Sequence, residues 1–355
     1  MIDIIATNIQ GLGATHVVRS LLPAIERVGG ASIGTIWLPD RGTLAGYGDG
    51  GPRYRAYRRR LPNAVSRLAE CAFMGRRVYG GRALLVLGDL PIRTDREQVL
   101  FLHNSAVFPD MPDLTRGEAI KRRIIRGIFR SNLPCVDRFI VQTGVMAQRL
   151  AAHYGVARTD IAIVPQPPPA GLARPADAGA MTFVPGDRLR LFFPADAAPY
   201  KNHGVLAEAA AAGALDAVLD RIVVTLTPAE YPGAGGKIQA LGRLGQDDVL
   251  AQYRAAHALV FPSLDESYGL PLVEAMSHGL AIVCADRPYA HALCGEGALY
   301  FDPLSAASLR HALAELHRRL AAGWRPDWTE QIRAFPADWD AVARQMLSLF
   351  GARQA

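Results

Sequence analysis

Two glutamates, Glu266 and Glu274, stand eight positions apart in Phe261-Pro-Ser-Leu-Asp-Glu266-Ser-Tyr-Gly269-Leu-Pro271-Leu-Val-Glu274. Ala258-Leu-Val-Phe261 reads as a short buried strand, stopped by Pro262, that delivers its C-terminal end to a sheet edge where ligands collect. Gly269 permits backbone that a Cβ resists, and Pro271 suits the start of a helix, where its missing N–H goes unused. Glu266 is therefore expected on a loop and Glu274 in the first helical turn. The N–H groups after Gly269, at the positive end of the helix, form a ready anion site for phosphate. Two carboxylates beside a diphosphate make sense as acceptors for flanking hydroxyls, one set on a ribose and one on a transferred sugar. Taken alone, acids decorating a helix N-terminus account for them better.

The fuller pattern shifts that balance. Phe261-Pro262-Ser263, Glu266, Gly269-Leu270-Pro271 and Glu274 continue into Ala275-Met276-Ser-His-Gly279, Ala281-Ile-Val283 and Gly297-Ala-Leu-Tyr-Phe301-Asp302-Pro303. Together they resemble the E-x7-E signature of retaining glycosyltransferases of group 1, family 4-like, most strongly over the second half of the chain. The resemblance implies an α/β chain of GT-B fold, with two Rossmann-like domains facing across a cleft and a C-terminal helix returning to the first. It also implies transfer of a hexose from a UDP- or GDP-sugar to a saccharide or lipid-linked acceptor, in the synthesis of a bacterial surface polysaccharide. No metal or other cofactor is expected, the nucleotide sugar being a substrate.

Residue by residue, the resemblance puts Lys201, Gly242, Arg243, Glu266, Ser267, Tyr268, Gly269, Leu270 and Glu274 on the donor. Glu266 would position the sugar, Glu274 the ribose and Lys201 the diphosphate, with His103 at the reaction centre. Gly11, Gly13, His16 and Asn104 become cleft residues on the acceptor side. Many relatives carry an arginine five positions before the lysine, where this chain has Asp196. Neutralisation of the phosphates must then fall on Lys201 and the helix N-terminus, or on Arg243.

The elements that would hold these residues can be followed along the chain. Ile2 to Ala6, a Gln10-Gly11-Leu-Gly13-Ala-Thr-His16 loop and an apolar-periodic run to Ile25 read as strand, turn and helix. His16 stands where a dinucleotide fingerprint needs its third glycine, and no acid after a second clear strand is apparent, so NAD is not expected. Ala83 to Leu87 and Val99 to Leu102 are further strands, the second ending in His103-Asn104. Phe139 to Gln142 and Ile161 to Val164 close the first domain, taken as 1–165. A proline-rich linker at 166–187 precedes a second domain at 188–334, opened by the strand Leu189 to Phe193 and the loop bearing Lys201. A helix within 335–355 would return to the first domain. Asp338-Trp339-Asp340 has the spacing of a metal-holding pair, but its place at a helix start makes capping the plainer account.

The 355 residues suffice for two cores, and the net charge of +6 favours anionic partners without choosing among nucleotide diphosphates, lipid and nucleic acid. Arg53 to Arg60 interleaves bases with tyrosines and reads as a solvated basic loop. Residues 117–130 set Ile120, Ile124, Ile125, Ile128 and Phe129 on one helical stripe with bases elsewhere. Such a helix docks on its own domain, and its arginines could in addition rest on anionic membrane, as could 53–60. Cys71, Cys135, Cys284 and Cys294 lack metal or disulfide spacing, and Met1-Ile-Asp-Ile-Ile enters a strand with no signal-peptide pattern. A cytoplasmic protein is expected, with peripheral contact at the inner face of the membrane as an option. Two other readings remain: a nucleotide-sugar epimerase of the same fold, and a basic nucleic-acid-binding protein, which leaves the glutamate array unexplained.

Overall fold

The computed structural model describes residues 1–9, 11–58, 66, 69–74, 81–110, 116–168, 181–211, 213, 215–231 and 235–351. The chain divides into two compact units, Met1–Pro167 with Pro336–Ala355, and Pro168–Phe335. Most of the stretch expected as linker, 169–180, lies outside the described residues.

The first unit holds seven parallel strands: β1 (Ile2–Ile5), β2 (Ile33–Pro39), β3 (Tyr54–Tyr57), β4 (Ala83–Val86), β5 (Gln98–Phe101), β6 (Arg138–Val141) and β7 (Ile161–Ile163). Their order is β3-β2-β1-β4-β5-β6-β7, doubly wound, with the reversal between β1 and β4. A parallel sheet is covered on both faces, and β1, β4 and β5 are mostly apolar and almost wholly buried, with Asp3 and Gln98 buried among them. Among its described residues up to Pro167 are the helices α1 (Leu12–Gly29), α2 (Arg116–Asn132) and α3 (Gly144–Tyr154).

Three sequence readings change here. The second strand that was not apparent is β2, and Asp40 follows it directly, although His16 still occupies the third glycine's place. The basic stretch from Arg53 is not a loop over 54–57 but the edge strand β3. Tyr57 is buried and Tyr54 donates to Glu26 Oε2 at 2.6 Å, so the aromatics serve packing while Arg55 and Arg58 face solvent; Arg59 and Arg60 lie outside the described residues. On α2 the stripe is too wide for one docking face. Phe129 is buried and Ile125 and Ile128 are packed against the core, whereas Ile120 and Ile124 are 63% and 48% exposed.

Among its described residues the second unit repeats the plan with six parallel strands: β8 (Leu189–Phe193), β9 (Leu219–Val224), β10 (Ile238–Ala240), β11 (Ala258–Phe261), β12 (Ala281–Ala285) and β13 (Leu299–Phe301). The order is β10-β9-β8-β11-β12-β13, reversing between β8 and β11. Its helices are α4 (His203–Ala211), α5 (Gln246–Arg254), α6 (Leu270–Ser277), α7 (Pro288–Cys294), α8 (Ala306–Ala321) and α9 (Thr329–Ala334). The last helix, α10 (Trp339–Leu347), belongs to the first unit and packs on α1, burying Val342, Ala343 and Met346 and pairing Asp340 with Arg27 at 2.6 Å. Asp338 caps it by accepting from the Ala341 N–H at 2.7 Å, so both acids of the Asp-x-Asp pair have structural work.

Candidate active site

In the second unit, the loops leaving β8 and β11 border the crevice where the strand order reverses, which is where open α/β sheets bind ligands. The loop after β8 ends in a single 3-10 turn, Pro199–Lys201, and the three residues Lys201-Asn202-His203 each fix part of it. Lys201 Nζ meets Glu266 Oε1 at 2.6 Å, with the two side chains only 13% and 11% exposed. Asn202 adopts the left-handed conformation, φ 57°, and its amide donates to the carbonyls of Pro262 at 3.3 Å and Pro303 at 2.8 Å. The Nε2 of His203 bonds the Asp196 carbonyl at 2.9 Å, which sets the ring against the start of the same loop. The Leu264 N–H donates to the Tyr200 carbonyl at 2.8 Å, so the two loops are tied by backbone as well.

Burial alone would disfavour the Lys201 ammonium, but Glu266 on its Nζ outweighs this and holds the lysine above its ordinary pKa. The Nζ also lies 5.0 Å from the Tyr200 ring centroid. Burial pushes the Tyr200 phenol up to about 12, so the site contains a fixed cation and a neutral phenol at neutral pH. Asp196, where relatives often place an arginine, accepts from the Ala198 N–H at 3.1 Å. Arg243 is 64% exposed and pairs with Glu230 at 3.2 Å, and Gly242 before it takes a left-handed turn, φ 76°.

Gly269 caps α6 with φ 96°, a conformation that strains any residue with a Cβ, and Pro271 sits in the first turn. Ser267 and Tyr268 lead into this cap, and Leu270 is the first helical residue. Glu274 is the fifth residue of α6, so it lies in the second turn rather than the first. Its Oε2 accepts from the Tyr253 hydroxyl at 2.6 Å. Nothing in the spacing of the two glutamates announced Tyr253, which comes from the last turn of α5; its only signal was an aromatic on the buried face of that helix.

In the first unit, α1 starts after β1, at the reversal between β1 and β4, and His103 follows the next strand, β5. Gly11 caps α1 with φ 87°, Gly13 lies exposed in its first turn, and His16 is partly exposed one turn on. His103 follows β5 with its side chain 8% exposed; Nε2 is 3.2 Å from the Leu87 carbonyl and 3.7 Å from Asp89 Oδ1. Asn104 accepts from the Ala106 N–H at 2.9 Å and so shapes a turn. Asp89 was not foreseen, although Gly88-Asp89 after an apolar strand is the sort of position that reaches a crevice. A buried Glu70, accepting from the Thr7 hydroxyl, was likewise not foreseen.

Residues 189–319 match the family described as glycosyl transferases group 1. An O-antigen chain mannosyltransferase, RfbU of Salmonella typhimurium, is 32% identical over 82 residues, a stretch that spans 23% of this chain and 23% of that protein's own length. Among solved structures, sucrose-phosphate synthase from Thermosynechococcus elongatus is 17% identical with a TM-score of 0.67, covering 98% of both chains. WaaG, a glycosyltransferase involved in lipopolysaccharide biosynthesis, is 14% identical with a TM-score of 0.65, covering 99% of this chain and 100% of that one. Residues 189–319 of the second unit thus match the group 1 glycosyltransferases, and both units have the Rossmann-like fold of these solved GT-B structures.

Proposed function

We propose that this chain is a retaining glycosyltransferase that moves a hexose from a UDP- or GDP-sugar to a saccharide or lipid-linked acceptor in bacterial surface polysaccharide synthesis. The observation that carries this reading is the Lys201–Glu266 pair at the β8/β11 crevice, beside the N-terminus of a helix that also bears Glu274. In the reaction, the bond between the anomeric carbon and the diphosphate oxygen breaks and a bond to the acceptor oxygen forms on the same face. The acceptor's proton passes to the departing phosphate. Lys201 and the α6 N–H groups stabilise the charge that grows on the leaving group, which needs no metal in this scheme. Glu266 orients the sugar and Glu274 holds the ribose, while His103 is assigned to the reaction centre and Asn104 to the acceptor.

The bases and exposed isoleucines of α2, Ile120 and Ile124 with Lys121, Arg123 and Arg130, fit a peripheral contact with anionic lipid at the inner face of the membrane. A lipid-linked acceptor would be met there.

The test is transfer from labelled UDP- and GDP-hexoses with and without lipid and saccharide acceptors, with the anomeric configuration of the product read by NMR. Lys201→Ala and Glu274→Ala are each expected to lower kcat/KM by about 100-fold or more. Unchanged transfer in both variants would sink the assignment. Donor converted to an isomeric sugar nucleotide without acceptor would mark an epimerase instead.

A further inference from the structure

Tyr253 is wholly buried, and its hydroxyl has one short partner, Glu274 Oε2 at 2.6 Å, the Pro271 carbonyl being 3.5 Å away. The ring itself is held on two sides. His278 stacks on it with centroids 5.1 Å apart and planes inclined by 14°, and Phe192 meets it edge-on at 5.0 Å. His278 is 1% exposed, and neither ring nitrogen has a hydrogen-bond partner among the described residues. A histidine buried in this way acts as a flat apolar wall. Burial, and secondarily the neighbouring Glu274, raise the Tyr253 phenol well above its usual range, so the hydroxyl keeps its proton and must be the donor.

From this clamp we infer that Tyr253 is a positioning residue for the donor nucleotide, acting through Glu274. The inference rests on the reading of Glu274 as the ribose ligand. A glutamate in the second turn of a helix has three side-chain torsions to settle before both oxygens can meet a cis-diol. A donor fixed by packing from a second helix settles one oxygen in advance, which removes an ordering cost from binding. Because the ribose is remote from the bond that breaks, the gain falls on ground state and transition state alike. It therefore appears in KM and not in kcat.

The experiment measures binding of UDP and GDP, and of their 2′,3′-dideoxy counterparts, to the full chain carrying Tyr253→Phe, Glu274→Ala or both. A hydrogen bond to a charged group predicts that Tyr253→Phe weakens the ribonucleotide about tenfold and leaves the dideoxynucleotide unchanged. Donor KM should rise by a like factor, with kcat within about twofold. Glu274→Ala should likewise affect only the ribonucleotide, and adding Tyr253→Phe to it should cost nothing more. His278→Ala removes one wall of the ring without touching the hydroxyl, and is the second probe should Tyr253→Phe fail to fold. It should weaken the ribonucleotide about threefold and spare the dideoxynucleotide. Equal losses on both nucleotides, or full additivity with Glu274→Ala, would overturn the inference. If Glu274→Ala itself bound both nucleotides as the wild type does, the ribose reading would fall, and this inference with it.

Discussion

Lys201 and Glu266 form an ion pair largely removed from water and so couple the loop after β8 to the loop after β11. Removing one partner leaves the other charge buried. Lys201→Met should therefore destabilise the second unit by about 3 kcal/mol, and Lys201→Met with Glu266→Leu should recover much of the loss, as read from urea unfolding. The lysine's folded pKa is raised, so its contribution is whole below the ordinary lysine pKa and is lost only as pH rises through the folded value. Between pH 7 and 9 the cost of Lys201→Met should therefore stay flat. In the proposed reaction the same pair would bear on donor binding, since a diphosphate would compete with Glu266 for Lys201, the only lysine of the β8 loop. With Asp196 occupied in its own turn and Arg243 paired to Glu230, no second cation among the described residues is seen to meet Lys201.

The elements owe their placement to a few positions that sequence reading could find and others that it could not. Gly297 shows the second kind. It belongs to the motif that carried the family resemblance, yet its φ is ordinary. Its reason is Trp328, whose ring a Cβ there would approach to 2.4 Å, and whose indole N–H donates to the Leu280 carbonyl at 2.8 Å. Gly297→Ala should displace that ring and cost about 1–3 kcal/mol, visible as a lower urea midpoint and altered tryptophan fluorescence.

The strands β1, β4, β5, β8 and β11 were legible because buried parallel strands are short, predominantly apolar runs, even with Asp3, Gln98 and Arg190 among them. β3 was not, since an edge strand is paired on one side only and its middle residues, Arg55 and Ala56, are exposed. β2 was less legible, since Gly34 and Thr35 interrupt the apolar run of Ile33 to Leu38. Glu266 and Lys201 could be singled out from spacing and resemblance, whereas Tyr253 and Asp89 could not. Their meaning lies in what they touch across 21 and 14 residues of sequence, and single-sequence patterns carry no record of such contacts.

At the scale of the molecule, the first unit is made from both ends of the chain and the second from a continuous middle. Helix α10 covers α1 with Val342, Ala343 and Met346, all buried, and burial of side chains of this size is worth about 1.5–3 kcal/mol for each of the larger two. A chain ending at residue 335 should keep the thermal transition of the second unit and lose or lower that of the first, which calorimetry would resolve as two shifting components. Arg27→Ala should have much the smaller effect, because that pair is open to solvent.

This interleaving also imposes an order in time. During synthesis the middle unit has all its described strands once residue 301 is free, and its core is complete once Leu309 to Leu320 of α8 and Trp328 follow. The first unit emerges earlier but waits longer: the apolar side of α1 stays uncovered until residues 339–347 are released. For that interval the half made earlier is the unfinished one, and α10 is what covers α1.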